Sequence, residues 1–247
     1  MILLAVGSGR HWPPLEVPPR QGEAVDVIRQ NPPMHAEVAM RRLIREPQNT
    51  WSNLAFVLGG AWLLTAAQCR SSRAAGIALT AVGVGSFLYH ASASRELRHL
   101  DVGAMYWLFL LLGVVAPAGV FAAWRRRVEP RIVMITVATL GTAVALTCGR
   151  NLSIAGVKPF ALTTATAVAA TIVIASLVLI AWRSGTRSRW LAVAGTILLF
   201  AAALVCQIGD RPGGWLFNPA ARLQAHALWH VLSAMAVTGA VAIGDRA

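Results

Sequence analysis

The chain has 247 residues, of which 56% are hydrophobic and 13% charged, with a formal net charge of +12. Soluble domains carry about 25% charged residues, so this composition, with a mean hydropathy of +0.59, excludes an ordinary soluble domain. The positive charge does not indicate nucleic acid, because no basic stripe with interleaved aromatics occurs. Arginines instead fall in short connections, such as Arg125, Arg126 and Arg127, where they suit anionic headgroups and topology control.

Residues 1–45 form a polar arm in which Pro13, Pro14, Pro18, Pro19, Pro32 and Pro33 discourage long helices. Apolar segments follow at 48–68, 74–93, 101–123, 131–149, 159–182, 189–208 and 220–243. An uncharged stretch of about 20 residues spans the hydrocarbon layer as a helix. A run of such stretches predicts an all-α bundle, since lipid offers open backbone groups no partner. The fold class expected is therefore a seven-transmembrane-helix integral membrane protein. It divides into the arm, 1–45, and a membrane domain, 46–247. Gly59, Gly60, Gly83, Gly85 and Gly195 are expected to let helices approach closely. The three cysteines, Cys69, Cys148 and Cys206, have neither disulfide-framework nor zinc-site spacing.

Seven spans place the termini on opposite sides of the membrane. With that alternation, the unexpected polar residues gather in the half nearest the N-terminal arm. Glu46, Asn49, Ser52 and Asn53 open the first span, and Ser86 and His90 lie near the end of the second. Asp101 opens the third, and His226 and His230 lie early in the seventh. Ionisable groups inside a membrane are costly, so they normally face a bundle interior and pair there.

His226 and His230, four apart, share a helix face. With His90 they make a three-nitrogen zinc site conceivable, in which a fourth position holds water. The pair alone is equally compatible with a haem or with hydrogen bonds between helices. Ala227, Leu228 and Trp229 separate the two histidines, so a general base must come from elsewhere. Asp101 is the nearest acid, and Ser86 is a candidate donor to a developing oxyanion. Asn49 and Asn53 read as interhelical hydrogen-bonders, and Asp101 as a helix cap, if no chemistry is present.

These residues resemble the alkaline ceramidases and the wider CREST group, which includes the progestin and adiponectin receptors. Glu46-Pro47-Gln48-Asn49-Thr50-Trp51-Ser52-Asn53 is similar to the family's E-x-x-N-T-x-S-N opening. Gly85 to His90 is similar to its G-S-x-x-x-H segment, Asp101 to its aspartate eleven residues on, and His226 to His230 to its closing H-A-x-W-H. Asp210, after the sixth span, also resembles a family position. The resemblance implies zinc on His90, His226 and His230, with Asp101 and Ser86 attending the water and the oxyanion. The implied activity is hydrolysis of a ceramide-like or other N-acyl lipid of the membrane. It also implies calcium bound by an acidic N-terminal loop, with Glu46, Asn49, Asn53 and Asp210 as calcium-linked or structural positions. Asn31 to Glu37 does not align with that loop, and Glu46 is the one recognisable ligand, so little or no calcium dependence is expected.

Two other classes compete with the hydrolase: a seven-span receptor with a structural zinc site, and a haem- or quinone-binding electron carrier. Ser86 and Asp101 favour hydrolysis, because neither alternative needs both. Basic residues flank the spans almost equally on the two sides. The expected cytoplasmic C-terminus therefore rests on the resemblance rather than on the positive-inside rule.

Overall fold

The computed structural model describes residues 44–123 and 159–246, apart from 212, 219, 220 and 222. The arm up to residue 43 and the expected fourth span, 131–149, lie outside the described residues. The rest is helical: α1 Pro47–Ser52, α2 Leu54–Ala66, α3 Arg70–Ser92, α4 Arg95–Ala123, α5 Pro159–Ser184, α6 Arg187–Gly209 and α7 Ala225–Asp245. No strand occurs among the described residues. By length and composition, α3, α6 and α7 can each cross a membrane, and Ala169–Ser184 in α5 is a shorter apolar helix.

Hydropathy suggests one uninterrupted first span, but the chain divides it at Asn53. The Asn49 carbonyl accepts from the Ser52 hydroxyl at 2.9 Å and from the Asn53 side-chain amide at 2.7 Å. The Asn53 backbone N–H turns instead to Thr50, three residues back, at 3.3 Å. Side chains competing for a helical carbonyl tighten or bend a helix in this way. Across the bend, α1 and α2 run from 47 to 66, about 30 Å at 1.5 Å per residue.

The expected third span also differs. Its helix starts at Arg95 rather than 101, because Ser94 Oγ accepts the Leu97 N–H at 3.3 Å and so caps a charged first turn. Hydropathy detects immersion in lipid and is blind to the polar turns of the same helix. Ala93, at φ 49°, closes α3 in the left-handed region, and Ser94 begins the next cap.

The closest packing is between α2 and α3, α3 and α4, and α6 and α7, and α7 reaches across to α1 and α2. A Cβ on Gly60 would lie 2.6 Å from the Gly76 carbonyl oxygen, and one on Gly83 2.9 Å from the Val57 amide nitrogen. Backbones approach at these two points as small-residue packing requires. Gly59 instead faces the side chains of Thr238 and Leu79. Gly195 departs from the expectation, with nothing within 4 Å of its would-be Cβ. The interior is filled by Leu63, Leu79, Leu111, Leu177 and Val237.

Direct contacts fix the two ends of the bundle. At one end, Glu46 meets α3 and Gln48 meets the start of α7. At the other, the Asp245 carboxylate accepts the Gln68 and Cys69 amides at 2.8 and 2.9 Å, capping α3 from the last residue of α7. Exposed Trp51 and Trp215 rim the first end, and Trp62, Trp182 and Trp190 the second. Tryptophans so placed suit the two membrane–water interfaces of a spanning bundle.

Candidate metal centre

The first turns of α7 are fixed on α1 before any histidine appears. Gln224, the N-cap, donates its backbone N–H to Gln48 Oε1 at 3.0 Å and its side-chain amide to the Ala221 carbonyl at 3.0 Å. His226 and His230 then project from one face of α7 towards His90, in the last turn of α3. Their ring centroids stand 4.6 Å apart, and each lies 5.2 Å from that of His90. One nitrogen from each ring falls within 4.8 Å of the others, and all three side chains are buried.

A second layer orients two of the rings. His90 Nδ1 lies 2.5 Å from Glu46 Oε2, which also accepts the Asn49 side-chain amide at 3.2 Å. His230 Nδ1 lies 2.8 Å from Ser52 Oγ. With the Ser52 hydroxyl hydrogen on the Asn49 carbonyl, its oxygen is positioned to accept from a His230 Nδ1–H. A carboxylate likewise accepts from the His90 Nδ1–H. Partners of this kind favour the tautomer whose Nε2 carries the lone pair, the form a metal binds.

Asp101 comes to this centre through a close helix approach. A Cβ on Gly85 would lie 3.4 Å from the Asp101 Cα and from the Leu100 carbonyl oxygen. Beside that glycine, the Ser86 hydroxyl hydrogen-bonds the Asp101 carboxylate, with His90 and Glu46 close by. Asp101 Oδ1 is buried without a hydrogen-bond partner among the described residues. The neighbourhood thus contains three imidazoles, two carboxyl groups and a hydroxyl.

The remaining expected positions have structural surroundings. Asn49 and Asn53 are buried in the bend of the first span. Asp210 is buried at the C-cap of α6, where its backbone N–H bonds the Cys206 carbonyl at 3.0 Å. It does not join the three-histidine group. Sequence reasoning missed Ser52 as a ring partner and read Glu46 through calcium rather than through His90. The available signal was chemical: a ligating histidine needs an acceptor on its second nitrogen, and the opening motif supplies an acid and a hydroxyl on the correct side.

The donor set fits a divalent cation. Three imidazoles converge, two of them with an acceptor beside Nδ1, and the nearby carboxyl groups would offset an ion's charge. Three histidines with an open position form a known catalytic zinc set. Comparison with known proteins gives one family: residues 38–246 match the family model described as Ceramidase. No curated protein matches the chain.

Proposed function

The chain belongs to the ceramidase family, and from that premise we propose that it is a zinc-dependent hydrolase cleaving the amide of ceramide or a related N-acyl lipid inside the bilayer. The observation that carries the reading is one juxtaposition. His90, His226 and His230 offer ligand atoms within 4.8 Å of one another, beside Asp101 held by Ser86.

His90, His226 and His230 hold the ion. Bound zinc supplies Lewis acidity and brings the pKa of a water down to about 7. Asp101 is the general base, with Oδ1 buried and unengaged and ready to take a proton. Ser86 positions Asp101 through its single hydrogen in the resting site. When the substrate carbonyl arrives, the same hydroxyl is placed to turn towards the oxygen on which charge builds. Glu46 and Ser52 keep the rings of His90 and His230 in the ligating tautomer. A structural zinc in a receptor would not require a base and a donor beside it, so these two residues favour the hydrolase.

The reading includes a seven-span membrane domain over 46–247, with 131–149 as the fourth crossing and 1–45 as a polar arm. The substrate already resides in the bilayer and reaches the centre sideways between helices.

Metal analysis and ceramide hydrolysis on protein purified in neutral detergent test the proposal. About one zinc per chain is expected, lost in His226→Ala and in His230→Ala. Asp101→Asn should keep the metal and lose activity by about 10²–10⁴, the scale of general-base catalysis. A calcium-specific chelator should leave turnover intact. Zinc content unchanged in both histidine variants, or full turnover by Asp101→Asn, overturns the assignment.

A further inference from the structure

At the end of the bundle opposite the histidines, α2, α6 and α7 enclose a groove of about 560 Å³. That volume lies in the range of small-molecule binding sites, about 300–1,000 Å³. Its mouth carries Arg189 and Arg246 with the hydroxyl residues Thr186 and Ser188, and no acid lines it among the described residues. Asp245 is the nearest acid in sequence, and its carboxylate is engaged by the Gln68 and Cys69 amides. Arg189 Nη2 donates to the Arg246 carbonyl at 2.9 Å, which holds the guanidinium at the mouth with its other donors to spare.

Further in, the lining is mostly apolar: Trp62, Ala192, Gly239, Ala242 and Ile243, with Thr196, whose hydroxyl donates to the Ala192 carbonyl at 3.0 Å. One turn nearer the middle of the bundle, Leu58 on α2 and Met235 on α7 continue the same faces, and both are exposed. The surface therefore passes from two cations at the interface, past a tryptophan, to an apolar track leading into the hydrocarbon. A soluble anion would use the first part and leave the track bare.

We propose that this groove binds an anionic phospholipid of the leaflet opposite the histidine centre. Arg189 and Arg246 take the headgroup phosphate, Thr186 and Ser188 hydrogen-bond it, and an acyl chain lies along the small residues Ala192, Gly239 and Ala242. Basic pockets between transmembrane helices bind acidic headgroups by this chemistry. The site is separate from the metal centre, so its occupancy and the zinc content vary independently.

Native mass spectrometry of the intact chain in neutral detergent, titrated with phosphatidylglycerol or phosphatidylcholine, tests this. Wild-type protein should retain phosphatidylglycerol preferentially, and millimolar inorganic phosphate should not displace it. Arg189→Gln and Arg246→Gln should each weaken retention about fivefold, following the roughly 1 kcal/mol attributed to one basic residue near an anionic surface. Ala192→Trp, which fills the groove, should remove the preference while zinc content stays at the wild-type level. Equal retention of the two lipids by wild-type protein overturns the proposal without recourse to any variant. Displacement by free phosphate would reassign the groove to a soluble anion. An unchanged preference in the arginine variants would remove the headgroup assignment.

Discussion

A histidine ring has two nitrogens, and in a bilayer interior both need a partner. Here Glu46 and Ser52 lie beside Nδ1 of His90 and His230, and each ring offers a nitrogen to the three-histidine group. Both partners come from the turn that opens the first span, where Asn49 braces them by donating to Glu46 and accepting from Ser52. Removing such partners typically costs 10–100-fold in metal affinity. Glu46→Ala and Ser52→Ala should therefore each weaken zinc binding by about 10–100-fold in a competition titration against a chelator, whereas Ser86→Ala should not. Wild-type affinity in both variants would mean that the helix backbones alone aim the rings. Motif spacing names these residues, but only the folded chain reveals that Glu46 serves a histidine 44 positions away.

Between helices, glycine sets distance. At Gly60 the neighbouring carbonyl of Gly76 would lie 2.6 Å from an added Cβ, and a carbonyl cannot swing aside as a side chain can. Gly60→Ala should lower thermal stability, by about 1–3 kcal/mol on the scale of overpacked cores. Gly195→Ala meets nothing within 4 Å and should be neutral or mildly stabilising through helix propensity. If the two substitutions shift the melting temperature alike, close approach is not what Gly60 provides. The α3 start offers a chemical probe of a different contact. Burial, and then the adjacent Asp245 carboxylate, push the Cys69 thiol above its ordinary range. Thiolate then forms only at higher pH, so the pH midpoint for Cys69 alkylation should lie above that of a free thiol. Asp245→Asn should bring it down, and an unmoved midpoint would leave burial as the whole cause.

For the molecule as a whole, sidedness governs which leaflet supplies the substrate. The histidine centre and the Asp245 tether lie at opposite ends of the bundle. A cytoplasmic C-terminus would thus open the metal centre to the periplasm, exterior or lumen. A reporter that fluoresces only in the cytoplasm, fused after Ala247, should be bright; a dark C-terminal fusion with a bright N-terminal one reverses the orientation. Hydropathy by itself determined the helical membrane class, because lipid leaves backbone groups no partner but their own helix. It also put His90, His226, His230, Ser86 and Asp101 in one half of the bundle, since alternation of spans is a matter of counting. Hydropathy could not reveal the bend at Asn53 or the six residues that α4 gains before Asp101. Both arise from individual side-chain hydrogen bonds that leave the average untouched. Nor could any spacing show that Glu46 and Ser52 lie beside histidine nitrogens, or that two arginines line one groove with Ala192, Gly239 and Ala242. Those relations join residues far apart in the chain, and only the packing of one helix on another decides them.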